Sequence, residues 1–245
     1  MIGVTKMDVL LAGESWHEIS LYVKAQNVTT SSSYTEAGDY LIAALEAAGA
    51  HVTYQPCHVA VDEFPRTQAA FSEYDLVVLS DIGAQSLLLT PAVAAGERDA
   101  NRLAALAAYV ADGGAVGMIG GYMSFAGEHG QAGYGRTPLA DVLPVEISPY
   151  DDRIECPAGV VPENHELDDL PAAWPAVLGY NRVTPAANAD VWATVDEDPL
   201  LVVGDYGEGS AFAFTTDCAE HWAPRPFLEW EYLPELWGTV LDRMA

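Results

Sequence analysis

The sequence predicts an α/β fold: a mostly parallel sheet with helices on both faces and antiparallel strands added along one edge. Three observations predict it. Residues 7–13 (MDVLLAG), 74–80 (YDLVVLS) and 115–119 (AVGMI) are nearly unbroken apolar runs, as strands buried on both faces require. Segments 34–50 and 101–111 carry apolar residues at helical spacing, and strands alternating with helices pair in parallel through right-handed crossovers. Residues 200–215 (LLVVGDYGEGSAFAFT) read instead as a hairpin turning at DYGEG, so antiparallel strands follow the parallel ones.

Taken in order, the first strand ends at Gly13, and residues 14–33 (ESWHEISLYVKAQNVTTSSS) are expected to be a loop with at most one short helix. A helix over 34–50 runs through Leu41, Ile42, Leu45 and Ala48 and stops at Gly49. Residues 51–55 form the second strand, a linker follows, and 74–80 is the third. A loop with Pro91 and Gly96 precedes the helix at 101–111, which Gly113 and Gly114 end. The fourth strand, 115–119, runs into Gly120–Gly121 and then Tyr122, Met123, Ser124 and Phe125, a run expected to open a helix. Strand, glycine turn and helix together have the shape of a nucleophile elbow or a phosphate cradle, yet no Cys or Ser stands at the apex. Residues 138–162 are proline-rich, 177–183 and 191–195 are short strands, and 227–244 is an amphipathic helix rich in Trp and Leu. No linker-like stretch divides the chain, so residues 1–245 are read as a single domain.

Composition narrows the function classes. The formal net charge is −26 with only two lysines, so nothing here neutralises phosphates, which excludes nucleic acid and anionic membrane surfaces as partners. The acids are spread along the chain, which fits solubility or a salty cytosol better than one cationic partner. Three cysteines without C-x-x-C spacing give no disulfide framework, and reduced thiols are expected. No apolar run is long enough to cross a bilayer and the start lacks a signal-peptide layout, so a cytoplasmic protein is expected.

In open parallel sheets ligands sit beyond the carboxyl ends of the strands. Four segments converge there in this reading: 14–17, 81–83, 120–122 and 217–222. Glu14 follows the first strand directly and can orient or protonate a held group, or simply cap a turn. His221 suits proton transfer near neutral pH, with Asp217 and Glu220 close enough to orient it; the plainer alternative is a capping Asp and a His packed on Trp222. Cys218 is off any elbow and reads as a buried hydrophobe, and Cys57 and His58 as a packed thiol and a surface imidazole. Gly120 and Gly121, faced by Gly83 and Asp81, offer amides to an anion or oxyanion, unless the glycines serve the turn alone. Trp16, Tyr122, Tyr180, Asn181 and Trp222 suggest an aromatic wall with a polar handle around a small ligand such as a sugar. His17, His58, Asp217 and His221 have no recognisable metal spacing, so neither a metal nor a cofactor is expected.

The pieces LLAGESW, TTSSSYTEAGDYL, YDLVVLSDIG, GGAVGMIGGYMSF, LPVEISPYDDR, LGYNRV and FTTDCAEHWAP follow one another along nearly the whole chain as they do in the class I glutamine amidotransferase-like superfamily. The sequence most resembles a group of uncharacterised bacterial cytoplasmic proteins there, related more distantly to trehalose-utilisation-type proteins. The resemblance implies a flavodoxin-like sandwich and a pocket at the elbow. Amidotransferases of this class use a Cys at the elbow and a His-x-Glu pair near the end. Here Gly120 or Gly121 stands where the Cys would be, and Trp222-Ala223 follow His221, so glutamine hydrolysis through a thioester is not expected. The expected function is a small-molecule hydrolase or lyase with Glu14, Asp217 and His221 as catalytic groups. The ligand would be held by Trp16, Asp81, Gly83, Gly120, Gly121, Tyr122, Asn181 and Trp222. The alternatives are a non-catalytic binding module, carbohydrate among its ligands, or a structural subunit whose Trp-rich tail makes a homo-oligomer interface.

Overall fold

The computed structural model describes residues 6–245; the first five, part of the stretch read above as lacking a signal peptide, lie outside the described residues. Fourteen strands and eight α-helices are described. They run β1 (Asp8–Gly13), β2 (Ser15–Lys24), β3 (Asn27–Glu36), α1 (Asp39–Ala47), β4 (His51–Gln55), α2 (Cys57–Glu63), α3 (Gln68–Phe71) and β5 (Leu76–Ser80). Next come α4 (Ala84–Leu88), α5 (Pro91–Ala94), α6 (Arg102–Ala111), β6 (Ala115–Ile119), β7 (Val145–Glu146), β8 (Arg153–Val160) and β9 (Pro162–Asn164). The chain finishes with β10 (Val177–Asn181), β11 (Thr184–Pro185), β12 (Asp190–Val195), β13 (Asp198–Tyr206), β14 (Gly209–Phe214), α7 (Arg225–Leu228) and α8 (Leu233–Met244).

Eight strands form one sheet in the order β4-β1-β5-β6-β14-β13-β12-β9. The first five are mutually parallel; β13, β12 and β9 extend the far edge antiparallel. The fold is therefore the expected α/β flavodoxin-like sandwich with antiparallel strands added. The unbroken apolar runs follow from the pleat, because successive side chains point to opposite faces and both faces are covered. Val9 and Leu11 of β1 join one core with Val78, Leu41, Leu236 and Trp237, while Leu10 and Ala12 join the other with Val77, Leu79, Leu103 and Leu106. Thus α1 and α8 cover one face, and α2, α4 and α6 the other. Asn101 caps α6, its Oδ1 accepting the Ala104 amide at 3.0 Å.

Register puts Gly13, Ser80, Ile119 and Phe214 in one row across four neighbouring strands. The residues that follow each of them, Glu14, Asp81, Gly120 and Thr215, therefore leave the sheet at one rim.

Four expectations are corrected. Residues 14–33 are no loop: β2 and β3 pair over ten residues as a hairpin arm, from Ser15↔Glu36 to Lys24↔Asn27. No helix follows β6. Gly121 (φ +147°) and Phe125 (φ +50°) turn the chain instead. The Asp152 carboxylate accepts the Ala126 and Gly127 amides at 3.0 and 2.9 Å, taking donors a helix would have used. The strand over 177–181 lies outside the main sheet, paired with β8. The Trp-rich tail is not one helix but divides into α7 and α8, which cover one face of the sheet. Leu236, Trp237, Val240 and Met244 are buried on the sheet, each contributing about 1.5–3 kcal/mol by the area it removes from water.

Candidate functional site

The rim carries a cavity of about 940 Å³ lined by Glu14, Trp16, Asp81, Tyr122, Asp217 and His221 together with residues of the arm root and α1. Each polar group arrives by a local device. Glu14 has φ +47° and Asp81 φ +42°, left-handed conformations that cost energy for non-glycine residues and tend to cluster at functional sites. Glu14 is held there by its own amide on the Ser80 carbonyl (2.8 Å) and by the Ala37 amide and Tyr54 hydroxyl on its carbonyl, both at 2.9 Å. Asp217 closes a turn on itself, its Oδ1 accepting the Cys218 and Ala219 amides at 2.7 and 3.1 Å.

These devices bring together groups that start far apart. The strands before Glu14 and Asp217 are three positions apart in the sheet, about 14 Å at ~4.8 Å per strand. Yet Glu14, Asp217 and Cys218 place one donor atom each within 4.8 Å of one another, the only such His/Cys/Asp/Glu group among the described residues. The Ser80 hydroxyl donates to Glu14 Oε2 at 2.5 Å, and the Cys218 thiol lies 3.4 Å from the same oxygen. Among the described residues no lysine or arginine forms an ion pair with Glu14, Asp81 or Asp217. Burial first, then the charge of Asp81, pushes the Glu14 carboxyl up to about 7. Burial, then Glu14 and Asp81, raises Asp217 well above the usual carboxylate range. Asp81 is raised by burial and held back by the Met123 amide and His221. Burial together with Glu14 and Asp217 raises the Cys218 thiol far above its ordinary value, so this cysteine is protonated and inert as a nucleophile. Three carboxyls and a thiol share fewer charges than sites, which suits proton storage and exchange.

The bend after β6 does not cradle a ligand anion. The Gly120 amide donates to the Phe214 and Thr216 carbonyls, and the Gly121 amide to Asn181 Oδ1 at 3.0 Å. The next two amides, of Tyr122 and Met123, both turn to Asp81, Met123 donating to its Oδ1 at 2.5 Å, so the anion held by the turn is the chain's own carboxylate. A Cβ on Gly121 would lie 2.7 Å from Asp81 Oδ1, and one on Gly120 only 2.1 Å from the Thr215 carbonyl. Neither glycine has room for a nucleophile's side chain: Asp81 occupies the space at Gly121, and the backbone of Thr215 and Thr216 the space at Gly120.

The remaining sequence candidates divide. Asn181 is fully buried and clamps Gly121 from both sides while donating to Asp152 at 2.8 Å. Trp222 is fully buried, with its indole N–H on Glu155 (3.1 Å). Tyr180 is buried core with its hydroxyl on Asp198. Gly83 precedes α4 against Met123 and Ala132. These four brace the rim without lining the cavity. His221 stands at the mouth, its ring edge-on to that of Tyr122 with centroids 4.3 Å apart, and the Arg153 guanidinium lies over the Tyr122 ring, 4.4 Å from its centroid. His58 hydrogen-bonds Tyr34 on the arm, away from the carboxylates. The sequence reading missed Ser80, Glu36, Asp39, Tyr40 and Glu128 as site neighbours. Ser80 was the findable one: it ends a buried strand immediately before Asp81.

The comparisons with known proteins agree with this architecture. The family described as "Putative glutamine amidotransferase" matches residues 8–245. The chain belongs to this family. The cytoplasmic protein STM1381 from Salmonella typhimurium LT2 is 39% identical, with a TM-score of 0.93 over 98% of this chain and 100% of that one. The cytoplasmic protein STM3548 from Salmonella typhimurium is 36% identical, with a TM-score of 0.92 over 97% of this chain and 98% of that one. The exo-beta-1,4-mannosidase Op5Man5 from Opitutaceae bacterium strain TAV5 is 16% identical, with a TM-score of 0.50 over 97% of this chain and 36% of that one, a likeness of fold alone. No curated protein matches the sequence.

Proposed function

We propose that this protein is a cytoplasmic hydrolase or lyase that works on a neutral or positively charged small molecule by carboxylate acid–base chemistry, without a cysteine nucleophile and without glutaminase activity. The observation that carries the reading is Asp81, whose carboxylate fills the space beside Gly121 where a nucleophile would stand and joins Glu14 and Asp217 in one cavity. Glu14, holding a proton up to about pH 7, supplies it to a leaving atom, and Asp217 shares that proton. Asp81, steadied by the Met123 amide, is the fixed negative charge, and His221 at the mouth relays protons to solvent.

Charge sets the substrate class. Seven of the sixteen lining residues are acids, and the lone arginine, Arg225, is paired with Glu220 at 3.0 Å. An α-carboxylate such as that of glutamine is repelled there, whereas an amine or an uncharged polyol is not. The cytoplasmic reading is supported by the two Salmonella relatives.

The test is turnover of neutral and cationic amides, esters and glycosides by the wild type, Glu14→Gln and Asp217→Asn, with circular dichroism to confirm folding. Turnover by the wild type that both folded variants lose is the expected result. Ammonia release from glutamine, or full turnover by both variants, would overturn the proposal. A second reading, a binding module for uncharged polyols, is favoured by the 1% exposure of Glu14 and by the aromatic rings of Trp16, Tyr40 and Tyr122 in the lining. It predicts ligand-induced stabilisation without turnover.

A further inference from the structure

The arm formed by β2 and β3 lines the cavity only at its root, through Trp16, His17, Thr35 and Glu36. Ten residues at ~3.3 Å make it about 33 Å long, against a radius of gyration of about 18 Å expected for a body of this size. Its two strands pair only with each other. A lone two-stranded ribbon is marginal in water and needs cover.

The ribbon has two unlike faces. Trp16, Glu18, Ser20, Tyr22 and Lys24 share one with the small polar residues opposite them. The other carries Ile19, Leu21, Val23 and Val28, which are 73, 62, 62 and 60% exposed. Four large aliphatic side chains in a row on an uncovered face mark a contact surface.

Two facts identify what covers it. Residues 19–35 contain no acid and one lysine, in a chain of 36 acids and 10 bases, so the arm is the surface on which two such chains meet with least repulsion. Among the described residues, the large exposed apolar side chains off the arm, Leu89, Tyr150 and Val161, are scattered on separate elements and form no matching stripe. The face that matches the arm is the arm of a second copy, as a two-fold contact between identical patches requires.

We propose that two copies of this chain pair through their arms, apolar face on apolar face, tip over root. This direction lays each acid-free tip, and not a second acidic root, over the cavity mouth of the other copy, where Glu36 lines the wall. Acid is thus kept from facing acid where the pair closes. The pairing stands independently of what the cavity does.

The experiment is light scattering on the full-length protein after gel filtration, with circular dichroism as the folding control. The wild type is expected at twice the chain mass. Leu21→Glu and Leu21→Lys are each expected at the chain mass with unchanged spectra, since Leu21 is exposed. Mixing the two variants is expected to restore the doubled mass, because residue 21 lies close to the two-fold axis. A wild type at the chain mass, or a Leu21→Glu variant that keeps the doubled mass, would overturn the pairing. Folded single variants that stay at the chain mass when mixed would overturn the face-to-face arrangement.

Discussion

Replacing Glu14 by Gln tests the electrostatics of the site without emptying it. The two side chains are nearly isosteric, so Ser80 can still donate to the oxygen at position 14. In the native protein the Glu14 carboxyl holds its proton up to about 7, against the ordinary 4.5 of the unfolded chain. The folded state therefore binds more protons than the unfolded state between those values, and stability must fall as pH rises through that window. Two and a half pH units at 1.36 kcal/mol each set a ceiling of about 3 kcal/mol. Between pH 5 and 8 the linkage integral gives about 2–3 kcal/mol, because the unfolded carboxyl is already mostly ionised at pH 5. Urea denaturation of wild type and variant at the two pH values gives the answer as a difference of differences, in which titrations distant from the cluster cancel and the coupled titration of Asp217 is counted with that of Glu14. The wild type is expected to lose about 2–3 kcal/mol more than Glu14→Gln, and the variant to be the more stable protein at pH 8. Equal losses would refute the claim that a buried carboxyl is forced to ionise in this cavity.

Other consequences are as specific. Gly121→Cys should yield no ammonia from glutamine and should destabilise by about 1–3 kcal/mol, because the new Cβ meets Asp81 at 2.7 Å with φ at +147°; thermal unfolding and an ammonia assay check both halves. Asn181→Ala should cost about 2–3 kcal/mol in urea denaturation, since it orphans the buried Gly121 amide and removes a donor from Asp152. Ser80→Ala should move the Glu14 titration above 7, because the hydroxyl bond favours the ionised carboxyl; a shift downward would contradict the assigned cause. Thiol labelling of the folded protein should modify Cys57 and Cys156, which are part-exposed, and spare buried Cys218; rapid labelling of Cys218 would sink its assignment as an inert thiol.

The central strands were legible because burial on both faces leaves an unbroken apolar run, and VLLAG, LVVLS and AVGMI each carry it. Their shared rim followed from strand–helix alternation, which placed Glu14, Asp81 and Asp217 near one another before any coordinates. The arm was illegible for a physical reason. The ladder of β2 and β3 is long, but its serines and threonines pack against nothing in the chain, so no burial pattern marks it. Its turn uses Ala25 at φ +52°, where the sequence offers no Asn-Gly or Gly signal. The helix expected after Gly121 failed because Asp81 and Asp152 capture the amides of 123, 126 and 127, and long-range carboxylates are invisible to a local reading. The vacancy of the nucleophile's position could be read from Gly120 and Gly121; that Asp81 fills it could not.

The proposed acid–base chemistry requires a carboxyl at position 14 that keeps its proton near neutrality. Carbon-13 NMR titration of the glutamate side-chain carboxyls, with the Glu14 signal assigned by its loss in Glu14→Gln, reads that directly. A midpoint near 7 is the predicted result. A midpoint at the ordinary 4.5 would mean that water reaches the group freely, and the carboxylate chemistry proposed for this rim would have no basis.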